Sequence, residues 1–137
     1  MIDDQPALVT PGLIEMTKAG AVPDEECFAP LLQVYRVGTL TEAIALANRT
    51  KYGLSAGLLT ERLSDWDEFI ATIRAGVVNL NRQTTGASGK LAFGGCGLSG
   101  NHRPSGYYAA DYCSFPVASM ESDSLQVPES KMPGMNW

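Results

Sequence analysis

The chain has 137 residues, 45% hydrophobic and 18% charged, which is room for one domain with an ordinary core and too apolar for a disordered segment. Fifteen Asp and Glu against ten Lys and Arg leave a net charge of −5, the wrong sign for a general nucleic-acid binder that must neutralise phosphates. No apolar run approaches the ~20 residues of a membrane span. The start, Met1-Ile2-Asp3-Asp4, is acidic where a secretion signal is basic, so the cytoplasm is expected, with neither nucleic acid nor membrane as partner. Cys27, Cys96 and Cys113 form no C-x-x-C pair and His102 stands alone, which disfavours both a disulfide framework and a zinc site.

Residues 1–30 are expected to hold a strand over 9–16, interrupted at Pro11-Gly12, and a turn from Pro23 into Asp24-Glu25-Glu26. Residues 31–81 carry the clearest pattern. A branched apolar run over 31–37, bounded by Pro30 and Gly38, predicts a strand. Thr39-Leu40-Thr41-Glu42 is a capping box, and Leu40, Ala43, Ile44 and Ala47 behind it share one helical face. Tyr52-Gly53 breaks that helix, and residues 54–59 predict a buried strand. A second helix, capped by Ser64 or Asp65, places Leu63, Trp66, Phe69, Ile70 and Ile73 inward, with Gly76 as its C′ residue and a third strand over 77–81. Strand, helix, strand, helix, strand with short connections predicts an α/β fold with a parallel three-stranded βαβαβ unit.

Seven of the residues from 82 to 106 are glycine, and a loop that long in a compact domain is either functional or evidence against the element assignment. Over 107–121, a short helix is expected to run from 104 to 111. It should lead into a strand at Tyr112-Cys113-Ser114-Phe115-Pro116-Val117, confined to an edge by Pro116. Residues 122–137 are expected to form a loose tail.

Several segments offer chemistry. Gly95-Cys96-Gly97-Leu98-Ser99-Gly100 matches the dinucleotide fingerprint G-x-G-x-x-G but follows a loop rather than a strand, which favours glycines packed against other backbone. Cys96 and His102 invite a thiolate–imidazole dyad, although their spacing does nothing to bring them together, and a buried thiol beside a loop histidine is the plainer reading. Asp24-Glu25-Glu26 before Phe28 reads as a solvated acidic turn, or as a carboxylate for two sugar hydroxyls beside a ring that packs on a flat heterocycle. Thr84-Thr85-Gly86-Ala87-Ser88 reads as a turn cluster, or as a nest of hydroxyls and amides for an anion.

Taken together and in order, these segments resemble the C-terminal part of the aldehyde dehydrogenase superfamily. Glu25-Glu26-Cys27-Phe28-Ala29-Pro30-Leu31 is similar to the family's E-E-[IV]-F-G-P-V segment, and Ala47-Asn48-Arg49-Thr50-Lys51-Tyr52-Gly53-Leu54-Ser55-Ala56 to A-N-x-x-x-Y-G-L-[AS]-A. Ala75-Gly76-Val77-Val78-Asn79-Leu80-Asn81 resembles the family's A-G-x-[VI]-x-[VI]-N strand, and Phe93-Gly94-Gly95-Cys96-Gly97-Leu98-Ser99-Gly100 its F-G-G-x-x-x-S-G loop. The likeness covers residues 9–119. Ala29 and Ala92 depart from the usual Gly and Pro. Asn81-Arg82-Gln83-Thr84-Thr85-Gly86-Ala87-Ser88, Gly100-Asn101-His102-Arg103-Pro104-Ser105 and Tyr107-Tyr108-Ala109-Ala110-Asp111-Tyr112-Cys113 are most like the branch that oxidises N-succinylglutamate 5-semialdehyde to N-succinylglutamate in arginine catabolism.

The resemblance implies a piece of an NAD-dependent oxidoreductase. By it, Glu26 would hold the nicotinamide ribose and Phe28 would pack beside the nicotinamide. Thr85, Gly86, Ala87 and Ser88 would anchor the substrate, and Phe93 would wall the pocket near the reacting carbonyl. Residues 112–117 would be the oligomerisation strand that pairs with another subunit. The family's nucleophilic cysteine, its glutamate base and the pyrophosphate-binding strand would lie upstream of residue 1. The chain alone is therefore expected to be inactive and to make only part of the NAD contacts. A stand-alone binding or oligomerisation module that keeps this scaffold without the reaction is the alternative. A phosphate-binding flavodoxin-like domain is a third reading, and it requires the glycine loop to bind phosphate.

Overall fold

A computed structural model describes residues 8–125 and 133–134. In chain order the elements are β1 (Gly12–Glu15), β2 (Leu31–Val34), α1 (Leu40–Ala47), β3 (Ser55–Leu58), α2 (Leu63–Thr72) and β4 (Val77–Leu80). Then come β5 (Ala92–Phe93), a 3₁₀ turn (Gly97–Ser99), β6 (Ser105–Gly106) and α3 (Ala109–Tyr112).

The first helix starts where the sequence predicts. The Thr39 hydroxyl accepts from the Glu42 amide at 3.2 Å, and the Glu42 carboxylate accepts from the Thr39 amide at 3.2 Å and the Gly38 amide at 2.8 Å. The box satisfies amides that the first turn leaves without intrahelical partners. Ile44 on the predicted face is buried at 6% exposure, as is Phe69 of α2. Burying each side chain contributes about 2–3 kcal/mol.

The second helix differs at both ends. It begins at Leu63 with Arg62 as N-cap and no side-chain cap bond. Asp65, expected as a cap, instead accepts from the Arg62 guanidinium at 2.7 and 2.9 Å and from the Thr60 hydroxyl at 3.2 Å. The helix ends at Thr72, and Ile73 is already extended, so Gly76 is not a C′ glycine. Its backbone lies in the ordinary φ range, and the glycine is required by proximity. A β-carbon there would overlap the Gly94 carbonyl oxygen and sit 2.9 Å from the Gly95 Cα.

The strands make parallel pairs but not the expected three-stranded unit. β1 pairs in parallel with β2 in the register Gly12↔Leu31 to Glu15↔Val34, and β3 with β4 in the register Ser55↔Val77 to Leu58↔Leu80. β5 and β6 form a short antiparallel pair. Only β3–α2–β4 closes a parallel crossover within 31–81, because β2 spends its ladder on β1 and makes none with β3. β1 itself starts at Gly12, directly after Pro11, rather than being interrupted at Pro11-Gly12, with the Gly12 amide donating to the Pro30 carbonyl at 2.8 Å.

The two halves of 31–81 are joined through the helices. Thr41 donates to the Glu68 carboxylate at 2.9 Å, and Asn48 bridges from its amide nitrogen to the Thr72 carbonyl at 2.9 Å and from its amide oxygen to the Arg74 N–H at 2.8 Å. Near the C-terminus, helix occupies Ala109–Tyr112 rather than 104–111. The expected strand over 112–117 therefore loses Tyr112 to that helix, and residues 113–117 pair with no strand among the described residues. Phe115 and Val117 are exposed there, at 88% and 82%. The expected tail over 122–137 lies largely outside the described residues.

Candidate functional site

The glycine-rich segment does not open a helix onto a phosphate. It packs backbone against backbone. The Cys96 amide donates to the Gly53 carbonyl at 3.0 Å, and the Leu98 amide to the Lys51 carbonyl at 2.9 Å. Ser99 accepts from the Gly53 amide at 3.2 Å. Gly97 has φ +58, and a side chain there would also collide with the Lys51 carbonyl oxygen, so only glycine fits on both counts. The Cys96 thiol sits 3.8 Å from the Gly53 carbonyl, and no hydrogen bond joins it to the exposed His102 among the described residues. The fingerprint is thus a locking loop, and the dyad is not assembled.

A cleft of about 610 Å³ lies at the end of β4, lined by residues that precede the locked segment. Thr85, Gly86, Ala87, Ser88 and Phe93 all line it, so the structure gathers the five residues assigned to substrate around one space. Its walls are held by short-range bonds. The Leu91 and Lys90 amides donate to the Ser88 carbonyl at 3.1 Å and to its hydroxyl at 3.2 Å, and Ser105 donates to the Phe93 carbonyl at 3.1 Å. Phe93 is half-buried in β5 while the loop residues are exposed, which gives one apolar wall and one wall of hydroxyls and amides.

Two further residues fix the start of the loop. Asn79 in β4 donates to the Gln83 carbonyl at 2.8 Å. Asn81, at φ 51, takes the left-handed conformation that asparagine tolerates, and its side chain exchanges two bonds with the Thr60 backbone at 2.8 and 2.9 Å. Sequence reasoning treated both as part of a motif. Their signal was the N-x-N spacing at a strand end.

Glu26 lies elsewhere, on a depression of about 630 Å³ that it shares with Thr50, Tyr52, Leu54 and Arg74. Phe28 is not part of this depression and is 92% exposed. An exposed carboxylate and a bare ring two residues apart are the kinds of group that the ribose and the flat heterocycle of a nicotinamide nucleotide would require. What holds the turn is Asp24, which sequence reasoning grouped with the acidic cluster. Its carboxylate accepts from the Thr50 hydroxyl at 2.6 Å and the Lys51 amide at 2.7 Å. The Lys51 amide and then the Thr50 hydroxyl favour the ionised form and keep its pKa below the usual value of 3.8. A third groove of about 420 Å³ shares Leu54, Leu98 and Ser99 with the Glu26 depression and Phe93 with the substrate-loop cleft.

The model of the aldehyde dehydrogenase family matches residues 2–116, and the chain belongs to that family. It is closely homologous to N-succinylglutamate 5-semialdehyde dehydrogenases, corresponding to a C-terminal portion of them. It is 61% identical over 129 residues to the enzyme of that name from Chromohalobacter salexigens, covering 94% of this chain and 26% of the relative. With that of a Caulobacter species it is 63% identical over 119 residues, covering 87% and 24%. The chain thus spans about a quarter of the length of the curated relatives it matches. Among solved structures, aldehyde dehydrogenase 21 from Physcomitrella patens, in complex with the reaction product succinate, superposes with a TM-score of 0.66 at 30% identity, covering 77% of this chain and 22% of that one. Salicylaldehyde dehydrogenase from Pseudomonas putida, complexed with salicylaldehyde, gives 0.66 at 27% identity, covering 85% and 24%. No helix among the described residues is long and apolar enough to cross a membrane.

Proposed function

We propose that the chain is the C-terminal part of an NAD-dependent aldehyde dehydrogenase that oxidises N-succinylglutamate 5-semialdehyde to N-succinylglutamate. The observation that carries this reading is the single cleft lined by Thr85, Gly86, Ala87, Ser88 and Phe93, linked along Phe93 and Leu54 to the depression beside Glu26. In this reading the loop hydroxyls and amides bind the carboxylates of the substrate, and Phe93 walls its aliphatic stem. The Glu26 carboxylate accepts from ribose hydroxyls, and the exposed ring of Phe28 covers one side of the nicotinamide. NAD, held at its nicotinamide end by Glu26 and Phe28, would supply the hydride acceptor. The nucleophilic cysteine and glutamate base are supplied from outside this chain, and residues 113–117 add their unpaired backbone to a neighbouring subunit, since a free strand edge is a template for another chain.

The test replaces the C-terminal quarter of the Chromohalobacter relative by this chain. The chimera is expected to reduce NAD with N-succinylglutamate 5-semialdehyde at a rate within about tenfold of the relative, while this chain alone gives none, as loss of a nucleophile costs orders of magnitude. A chimera that folds and assembles but oxidises only unrelated aldehydes would refute the substrate assignment. Turnover by the chain alone, abolished by Cys96→Ser, would refute the division of the active site.

A further inference from the structure

We propose that Arg82 is the specificity-determining cation of the substrate-loop cleft, taking a carboxylate of the ligand that the Thr85–Ser88 loop anchors. This rests on the reading of that cleft as the substrate site. The chain carries a net charge of −5, yet the residues lining this cleft include no Asp or Glu, and Arg82 is the one charged residue among them. Among the described residues the two ion pairs are Arg36–Glu15 and Arg62–Asp65, and there too no hydrogen bond is found from the Arg82 guanidinium. Its donors are therefore available to an incoming anion. An arginine presents them as a planar fork that matches a carboxylate in two places.

The backbone beneath it is pinned on both sides. Asn81 is tied to Thr60 by two side-chain bonds, and the Gln83 carbonyl is tied to Asn79. The left-handed turn at Asn81 swings the chain off the end of β4, so that Arg82 enters the lining together with Thr85 and Ser88. A mobile cation on a free loop would lose much of its attraction to the entropy of ordering it, and this one starts from a fixed base. Position, charge and lack of an internal partner converge on one ligand class, an aldehyde or acid bearing a carboxylate remote from the reacting carbon.

The chain itself can be tested with N-succinylglutamate and its uncharged trimethyl ester as probes, by NMR titration read at the Thr85 to Ser88 amides. Wild type is expected to prefer the acid over the ester. Arg82→Gln should weaken the acid about three- to tenfold and leave the ester unchanged, with Arg82→Lys in between. Raising the salt concentration should bring wild type towards Arg82→Gln with the acid but not with the ester. Because Arg82 is exposed, an unchanged amide spectrum elsewhere will certify that the variants fold. If Arg82→Gln keeps the wild-type preference, the role of Arg82 is overturned while the cleft stands as the substrate site. An equal loss for acid and ester would make the guanidinium structural and overturn it too. If neither probe shifts the loop amides at roughly 50 mM, far above even millimolar affinity, the inference falls together with the reading beneath it.

Discussion

The two clefts are supported in opposite ways. The substrate-loop cleft is built by chain folded on itself: the glycine loop presses on Gly53 and Gly76, and β5 pairs with β6. The cofactor-contact turn hangs at the edge of the β1–β2 pair, whose Leu13 and Leu32 face each other in register and remain 67% and 60% exposed. Phe28 touches almost nothing, and one aspartate ties the turn to the rest. The difference teaches that this chain carries its own means of shaping the loop cleft, whereas the turn bearing Glu26 and Phe28 is only held in place and leaves apolar surface exposed.

The sharpest way to break that comparison is Gly76→Ala. The added methyl would overlap the Gly94 carbonyl, a backbone atom that cannot swing aside like a side chain. Overpacking of this kind costs about 3 kcal/mol, a large share of the stability of a small domain. The expected result is loss of exchange protection at the Cys96 and Leu98 amides and collapse of the cleft, with the β1–β2 amides far less affected. Uniform destabilisation in a hydrogen-exchange experiment would show that the two regions are not separately supported.

How much of this was legible in the sequence follows the range of the interactions. The capping box at Thr39 and Glu42 and the inward Ile44 and Phe69 depend on residues a few positions apart, and periodicity reveals them; the β3–α2–β4 crossover, which pairs Ser55 with Val77, follows from the order strand, helix, strand with short connections. The glycine loop was legible as a packing device because its fingerprint sits inside a run of glycines, although the short strand β5 that precedes it was not foreseen. Strand partners were not legible, since a branched run such as residues 31–37 says that it will be a strand but not which edge it will take. The Asp24 tether joins residues 26 and 27 positions apart, and within the acidic run Asp24 looks no different from Glu25. Residues 112–117 were read as a strand from their composition, but Tyr112 closes α3, and for the rest a strand needs a ladder that no partner among the described residues offers.

A smaller effect is expected from Asp24→Ala. It should leave the substrate-loop cleft intact and raise exchange at the Lys51 amide several-fold, loosening the turn that carries Glu26. The same tether should respond to acid. Because its bonds favour the carboxylate and lower its pKa, the stabilisation is complete above the ordinary value of 3.8 and fades as pH falls through the lowered folded value. An NMR titration of the Lys51 amide should therefore show its transition below 3.8, and a transition above that value would mean the tether is not formed.

The smallest effect should come from Arg36→Ala. Its guanidinium meets the Glu15 carboxylate at 2.7 Å, a short distance, but the two side chains are 81% and 43% exposed. Water and salt screen such a pair, so proximity alone contributes little. Glu15 has its pKa held below the usual 4.5, first by the Thr17 hydroxyl, then by Arg36 and the Thr17 amide. Thr17 is the busier residue. Its hydroxyl donates to Glu15 and also accepts from the Arg36 amide at 2.7 Å, a bond that survives removal of the Arg36 side chain. Thr17→Val removes both bonds, so it should loosen the β1–β2 pair more than Arg36→Ala does. Exchange at the Gly12 and Met16 amides, which donate across that pair, measures the order. If Arg36→Ala proved the more damaging, the ion pair rather than the hydroxyl would be what joins the end of β1 to β2.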